Sequence, residues 1–155
     1  MKIRRAEHKD IPQLDKLLFQ VNKVHSDGRP DLFIAGAKKY SDEELKSIIS
    51  DDSTPVFAAV GDEENVLGYA FCVFESARSG AMCNVKTLYI DDLCVDENCR
   101  GQHIGTKLYE HVLDFAKTSG CYNVTLNVWA LNENARKFYE KCGLSVLKIG
   151  MEKIL

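Results

Sequence analysis

The sequence of 155 residues lacks the features that mark membrane-bound, secreted and nucleic-acid-binding proteins. No apolar run approaches the roughly 20 residues that a membrane-spanning helix needs, and the charged N-terminus has no signal-peptide core. An excess of one charge is also missing, because 20 basic and 23 acidic residues leave a formal net charge of −3. Nucleic-acid-binding domains favour clustered basic charge. We therefore expect a cytoplasmic protein with neither a membrane nor a nucleic-acid partner.

Cysteine pairs with metal-ligand spacing are missing as well. None of the six cysteines forms a C-x-x-C pair, and the four histidines do not follow metal-finger spacing. Thiols stay reduced in the cytoplasm, and several of these cysteines lie in apolar, strand-like segments, where cysteine behaves as a small hydrophobic residue. We expect structural thiols, no disulfide and no metal site.

What the sequence does contain is an alternation of strand and helix patterns. Apolar residues at helical spacing follow Asp10-Ile11-Pro12, a helix-start signal, and predict a first helix that ends at a polar turn over 25–31. A capping box from Ser41 to Glu44 starts a second helix, which runs to about residue 49. The remaining patterns predict strands over 2–6, 55–60, 66–74, 85–95 and 124–129, a loop over 76–81, helices over 104–116 and 132–142, and a closing strand or hairpin over 144–155. This order predicts an α/β protein with a mixed sheet, in one domain over 1–155.

The pattern most informative about function joins the strand over 85–95 to the helix that begins near residue 104. The connection reads Arg100, Gly101, Gln102, His103, Ile104, Gly105 and Thr106. A glycine turn at a helix N-terminus presents several unpaired N–H groups together with the positive end of the helix dipole, which favours a phosphate-bearing ligand. The spacing matches neither the Walker loop nor the dinucleotide G-x-G-x-x-G pattern. A turn that merely caps the helix is the alternative.

A second motif lies downstream, over residues 132–144. Its residues match N-x-x-A-x-x-[FL]-Y-x-x-x-G-[FL] at every specified position, and this resembles the signature of the GNAT superfamily of N-acetyltransferases. The first motif resembles that superfamily's acetyl-CoA loop, Arg/Gln-x-x-Gly-x-Gly/Ala, with Arg100 and Gly105 in place. The resemblance covers nearly the whole chain and implies a GNAT-like fold, in which helices flank a mixed, mostly antiparallel sheet.

One residue of the loop departs from the family pattern. His103 stands where the family usually has a glycine. Its side chain either crowds the approach to the pyrophosphate, lies outward, or supplies a donor to a phosphate. Because the other N–H groups of the loop remain, we expect ligand binding to survive.

The resemblance implies acyl transfer from acetyl-CoA, the co-substrate, to an amine. By the same match, Tyr139 lies beside the coenzyme sulfur and reprotonates the departing thiolate, while Asn132 contacts the pantetheine arm as well as capping its helix. The resemblance further implies that backbone groups of Leu93, Cys94 and Val95 bond the pantetheine and polarise the thioester carbonyl, with residues 100–106 around the pyrophosphate. A helix residue with only its hydroxyl exposed is the plainer interpretation of Tyr139.

Asp91 and Asp92 are the candidates for removing the proton of the amine. Neighbours on a strand face opposite sides, so only one points into the acceptor cleft unless a bulge intervenes. The strand resembles the acidic strand of polyamine-type acetyltransferases, and this alignment favours Asp91. An ordinary carboxylate is too weak a base for direct transfer, so we expect it to attract the ammonium and pass the proton through water. A solvated charge at a strand end is the alternative.

The acceptor is not written in the sequence. A primary amine of a small molecule, polyamine-like or amino-acid-like, is the leading interpretation; a protein N-terminus or lysine and a non-catalytic acyl-CoA-binding domain are the alternatives. GNAT domains build their acceptor wall in the region of residues 25–31, where Asp27 and Asp31, together with Glu75, would attract a cation. The apolar residues 149–155 permit a homodimer through the final strand.

Overall fold

The computed structural model describes residues 1–77 and 79–155, and the predicted loop over 76–81 includes residue 78, which lies outside them. The strands are β1 (Lys2–Arg5), β2 (Val56–Val60), β3 (Val66–Glu75), β4 (Thr87–Val95) and β5 (Asn123–Leu126). The helices are α1 (Ile11–Gly28), α2 (Asp42–Ser50), α3 (Ile104–Thr118) and α4 (Glu133–Lys141), with short 3-10 turns between some elements. Among the described residues, no helix is long and apolar enough to cross a bilayer.

The five strands form one sheet in their sequence order, from β1 to β5. The first four strands pair antiparallel, and β4 pairs parallel with β5. A parallel neighbour requires a crossover connection, which α3 supplies. The predicted α/β fold with a mixed, mostly antiparallel sheet is confirmed.

The core lies on both faces of the sheet. Alternate residues of β2 show this directly, because Val56, Ala58 and Val60 pack beneath α1 and α2 whereas Phe57 and Ala59 pack beneath α3. All five residues of β2 are buried. The strand therefore reads as a continuous apolar run rather than as an alternation.

The end of α1 differs from the prediction. The polar turn predicted over 25–31 begins only after Gly28, because the helix continues through His25 and Ser26. Ser26 is buried and donates its hydroxyl hydrogen bond to the Lys23 carbonyl. A Cβ at Gly28 would lie 3.0 Å from Leu131, so tertiary packing holds this last turn.

The start of α1 also differs in its chemistry. Asp10 occupies the predicted N-cap position, but its side chain does not cap the helix. Its buried carboxylate instead accepts hydrogen bonds from the Arg4 guanidinium, at 2.7 and 3.1 Å, and from the Glu7 N–H, at 2.8 Å. The residue therefore ties β1 to the start of the helix.

The closing strand or hairpin predicted over 144–155 is wrong, because no residue of this segment belongs to a strand. The lack of buried residues extends over a longer stretch of the chain than this segment. Every buried residue that the structure describes lies at or before Ala116. We call residues 1–116 the closed body and residues 117–155 the open quarter.

Candidate functional site

A β-bulge in β4 places both aspartates on one side of the sheet. Ile90 pairs with Cys72 and Asp92 pairs with Phe71, so Asp91 is the extra residue. Ile90 packs in the core beneath α3, whereas Cys94, an even number of residues later, packs beneath α1. Without the bulge these two side chains would share a face. The strand thus changes faces at Asp91.

Beyond the bulge, β4 loses one of its neighbours. Its pairing with β5 covers only Thr87 to Ile90, while its pairing with β3 continues to Val95. On the β5 side, the backbone groups after Ile90 face a cavity of about 1450 Å³ rather than another described strand. An extended ligand can bond there as a short substitute strand.

The connection from β4 to α3 forms one end of this cavity. Gly101 has φ +79° and His103 has φ +59°, so the backbone takes left-handed conformations at both positions. His103 is the N-cap of α3 and contributes no side-chain cap, which leaves the N–H groups of the first helical turn without intrahelical partners. The loop keeps a glycine-like backbone although one of its residues carries a side chain, and that exposed side chain lines the cavity.

Asp92 lies partly buried at the cavity wall. Burial raises its pKa to about 6, against the lowering effect of the hydrogen bond that the Tyr69 hydroxyl donates at 2.8 Å. Tyr69 is itself fully buried beneath α1. The carboxyl is therefore held in one orientation at the cavity wall, with a proton affinity above that of an exposed aspartate.

Asp91, which the sequence alignment favoured, is already paired. Lys39 approaches its carboxylate at 2.7 Å, and the Tyr40 hydroxyl donates a hydrogen bond to the same oxygen. Burial and the Asp91 carboxylate raise the pKa of Tyr40, so this phenol stays protonated. Lys39 neutralises Asp91, and of the two aspartates this leaves Asp92 without a cationic partner among the described residues.

Tyr139 lies in the same cavity, on α4. Burial raises its pKa, and the negative charge of Asp92 raises it further. The phenol is therefore protonated at neutral pH, and its hydroxyl makes no hydrogen bond to another described residue. Asn132 caps α4 by accepting the Ala135 N–H at 3.2 Å, as predicted, and also lines the cavity.

His25, Phe33 and Trp129 also line the cavity and form an aromatic wall. The His25 and Phe33 rings lie 4.9 Å apart, and Phe33 meets Trp129 edge-on at 5.1 Å. Burial lowers the pKa of His25, with a smaller effect from Lys39, so the imidazole is neutral at pH 7. The wall offers flat apolar surface rather than charge.

The structure brings together nearly all of the residues that the sequence singled out. The cavity is lined by Asp91, Asp92, Leu93, Cys94, Val95, Arg100, Gly101, His103, Ile104, Gly105, Thr106, Asn132 and Tyr139. Gln102 is exposed and does not line it. Sequence reasoning missed Tyr69, Lys39, Tyr40 and two members of the aromatic wall, Phe33 and Trp129, because none of them belongs to a motif.

The acidic residues expected to attract a cation do not line the cavity. Asp27 pairs with Lys23 at 2.6 Å, and Asp31 pairs with Arg29 at 2.7 Å; Glu75 is likewise not among the lining residues. In the ranges 1–77 and 79–155, no group of three or more His, Cys, Asp or Glu residues is arranged to hold a metal ion. All six cysteines are free thiols.

Comparison with known proteins identifies a family. The profile of the acetyltransferase (GNAT) family matches residues 21–144. The chain is 31% identical over 116 residues to a glucosamine 6-phosphate N-acetyltransferase from Arabidopsis thaliana, an overlap that covers 75% of this chain and 68% of that protein. It is 29% identical to a peptidyl-lysine N-acetyltransferase from Salmonella typhimurium over 147 residues, which cover 93% of this chain and 83% of the relative.

Solved structures agree with the sequence matches. A mutant protein from Bacillus halodurans superposes with a TM-score of 0.95 at 28% identity, covering 100% of this chain and 99% of that one. The Arabidopsis thaliana glucosamine-6-phosphate N-acetyltransferase superposes with a TM-score of 0.71 at 28% identity, covering 99% and 97%. The similarity therefore extends over the whole fold.

Proposed function

Since the chain belongs to the acetyltransferase (GNAT) family and is an N-acetyltransferase, we propose that it transfers the acetyl group of acetyl-CoA to the primary amine of a small molecule. The observation that carries the proposal is a shared cavity. A partly buried carboxyl with a pKa of about 6, Asp92, and a protonated phenol, Tyr139, both line it. A base and an acid at one cavity are what amine acetylation requires.

The residues present suit acetyl-CoA, which supplies an activated acetyl thioester when bound. The free N–H groups at the start of α3 suit its pyrophosphate. The unpaired β5-facing side of Leu93, Cys94 and Val95 suits the amide groups of its pantetheine arm and donates hydrogen bonds towards the thioester carbonyl. Asn132 has an amide nitrogen left over from its capping role, and Arg100 lies at the pyrophosphate end.

Asp92 is the proposed proton acceptor. A primary amine with a pKa near 10 is mostly protonated at neutral pH and cannot attack a carbonyl in that form. Raising the pKa of Asp92 from 3.8 to about 6 narrows the gap between base and ammonium. The ammonium proton passes to Asp92 through water, and the Tyr69 hydroxyl holds the carboxylate in place.

Tyr139 is the proposed acid. As the new C–N bond forms and the C–S bond breaks, the sulfur takes up negative charge, and the phenol donates its proton there. Its raised pKa ensures that the proton is present at the start of each cycle. The nitrogen loses its second proton as the C–S bond breaks, and water carries that proton to the Tyr139 phenolate. Asp92 then releases its own proton to solvent, so the amide, the coenzyme thiol and one proton leave the site.

The residues that line the cavity favour some classes of acceptor over others. Lys39 neutralises Asp91, so of the two aspartates only Asp92 is left to hold a substrate ammonium, which favours an acceptor with one ammonium over a polyamine. The aromatic wall offers stacking surface to an uncharged body such as a sugar or an amino-acid side chain. An amine next to Asp92, with its body on the wall, fits both features.

Acetylation of a peptide amine is the second candidate. Its support is the Salmonella typhimurium relative, whose match covers more of this chain than the plant enzyme does. A peptide would have to lie across the same aromatic wall, so the choice of acceptor, rather than a substitution in the wall, separates the two classes.

The test is an acceptor screen with purified protein and acetyl-CoA. Amino sugars and their phosphates, amino acids, polyamines, aminoglycosides and lysine peptides are each supplied, and coenzyme A release is quantified by chromatography, because exposed Cys83 would react with a thiol reagent. We expect turnover with a small amine. Turnover with peptides alone would support the second candidate, and tight coenzyme binding without any turnover would support a binding module instead.

A further inference from the structure

The ammonium group of Lys39 lies in a site that the fold builds around it. Lys39 belongs to the connection between α1 and α2, and its Nζ lies 2.7 Å from Asp91 Oδ2 and 3.5 Å from the Asp91 carbonyl oxygen. The same Nζ lies 5.4 Å from the centre of the Tyr40 ring. A carboxylate, a carbonyl oxygen and an aromatic ring are each favourable partners for an ammonium group. The surroundings of Lys39 therefore form an ammonium site.

The other members of this site are held in place without Lys39. The Tyr40 hydroxyl donates a hydrogen bond to Asp91, and the Tyr40 ring lies 5.6 Å from the ring of Phe71. Asp91 is the extra residue of the β-bulge, so the sheet sets its position. The Asp91 side chain is only 19% exposed, whereas the Lys39 side chain is 46% exposed. The site therefore belongs to the sheet and its surroundings, and Lys39 is its more exposed occupant.

Asp91 and Asp92 form a matched pair apart from this lysine. Each carboxylate accepts a hydrogen bond from a tyrosine hydroxyl, on Tyr40 and on Tyr69 respectively, and both carboxylates line the cavity. Their Cα atoms are neighbours in the chain, about 3.8 Å apart. Asp91 has a cationic partner, and Asp92 has none among the described residues. Without Lys39 the cavity would present two carboxylates, enough for two ammonium groups.

Building on the acetylation of a small amine proposed above, we propose that Asp91 is a second ammonium site and that Lys39, by filling it, determines acceptor specificity. With Lys39 in place, Asp92 holds the reacting amine, and a second ammonium group on the acceptor finds Asp91 already paired. Without Lys39, a short aliphatic diamine places one nitrogen at Asp92 and the other at Asp91. The acetyl transfer itself is the same in both cases.

Lys39 excludes a diamine because it is attached to the chain. A free ammonium group would exchange one ion pair at Asp91 for an equivalent one, so this contact adds little affinity for a diamine over a monoamine. The attached lysine also competes at an effective concentration on the order of millimolar. A monoamine is not excluded, since it needs only Asp92. Lys39 therefore acts on the choice of acceptor.

The first test compares putrescine with butylamine, two amines with the same carbon chain. We expect Lys39→Met to raise the ratio of kcat/KM for putrescine to that for butylamine by about tenfold or more, the gain from a hydrogen bond between charged groups. Lys39→Arg keeps the cation and should keep the ratio low. Lys23→Met is the matched control, because it removes a similar ion pair, with Asp27 at 2.6 Å, away from the cavity lining. A ratio that does not rise in Lys39→Met overturns the proposal.

The second test measures binding and needs no turnover. In calorimetry with coenzyme A present, putrescine should bind Lys39→Met about tenfold or more tightly than it binds the unmodified protein. Adding Asp91→Asn to Lys39→Met removes the second carboxylate and should abolish this gain. Absence of the gain overturns the second ammonium site, as does a gain that survives Asp91→Asn. Tighter putrescine binding without turnover of either amine would support the site and count against the proposed acetylation of small amines, so the two proposals fail separately.

Discussion

The closed body and the open quarter divide the proposed chemistry between them. Asp92 and the hydroxyl that orients it, on Tyr69, belong to the closed body, where side chains pack on both faces of the sheet. Tyr139 and Asn132 belong to the open quarter, where no residue is buried. The proposed base is thus held by the core, whereas the proposed acid lies on a helix with no buried residue. Burial is concentrated in the closed body, whereas the cavity is lined by residues of both regions.

Tyr139→Phe is the most direct test of the difference between the two regions, because it should change activity far more than stability. We expect kcat to fall by about 10³-fold, within the range for loss of a general acid, while the melting temperature and the affinity for coenzyme change little. The matched control is Tyr122→Phe, an exposed tyrosine of the same quarter. Steady-state kinetics and calorimetry decide, and unchanged turnover would remove Tyr139 from the mechanism.

Asp10→Ala tests the stability of the closed body rather than the activity of the protein. Only 1% of the Asp10 side chain is exposed, and its loss leaves the Arg4 guanidinium, whose Nε already lacks a partner, without its main one. We expect the free energy of unfolding to fall by about 3 kcal/mol, measured by urea denaturation. Asp52→Ala removes a fully exposed partner of Arg5 and should have almost no effect; equal losses would contradict the burial argument.

Asp92→Asn should change both the activity and the stability of the protein. We expect kcat/KM to fall by about 10²-fold and to lose the limb that, in the unmodified protein, rises with pH through about 6. A pH profile that keeps this limb would assign it to another group.

The same substitution has a consequence for stability. Because the folded-state pKa of Asp92 lies above its unfolded value, its favourable contribution is fully present below the unfolded pKa and is lost as the pH rises through about 6. Asp92→Asn should therefore stabilise the protein at pH 8 by at most about 3 kcal/mol, and less at pH 5. Thermal unfolding at the two pH values measures the difference.

His103→Gly should give the smallest effect. A left-handed residue with a side chain is strained by about 1 kcal/mol, so glycine at φ +59° should raise the free energy of unfolding by up to that amount. His103→Val, with a branched side chain, should lower it. If His103 contacts phosphate, the glycine variant will also bind coenzyme more weakly, which calorimetry would detect.

Much of the fold could be predicted because its signals are local. The capping box of α2 forms as expected, with Ser41 accepting the Glu44 N–H, and Gly120 ends α3 with φ +73°. The extra helical turn before Gly28 carried no such signal, because Gly28 packs close to Leu131, a residue far along the chain. The predicted final strand does not form, although its apolar residues suggested one.

The site was predictable to the extent that motifs define it. The two motifs identified the connection from β4 to α3 and the helix α4, and residues of both line one cavity. The preference between Asp91 and Asp92 depended on contacts from distant parts of the chain. Lys39 binds one carboxylate from 52 residues away, and Tyr69 binds the other from 23 residues away. No local pattern contains such pairings.

The extra residue in β4 reverses the face of the sheet on which each later side chain of the strand lies. Up to Ile90 the even-numbered side chains of the strand pack in the core beneath α3. After Asp91 the even-numbered side chains lie on the opposite face of the sheet. Deleting one residue there would leave the composition of the strand almost unchanged, yet it would turn the Asp92 carboxyl and the Cys94 thiol towards the wrong layer together. Asp91 therefore matters in β4 for two reasons. It is the extra residue that sets the face of every later side chain, and it carries a carboxylate.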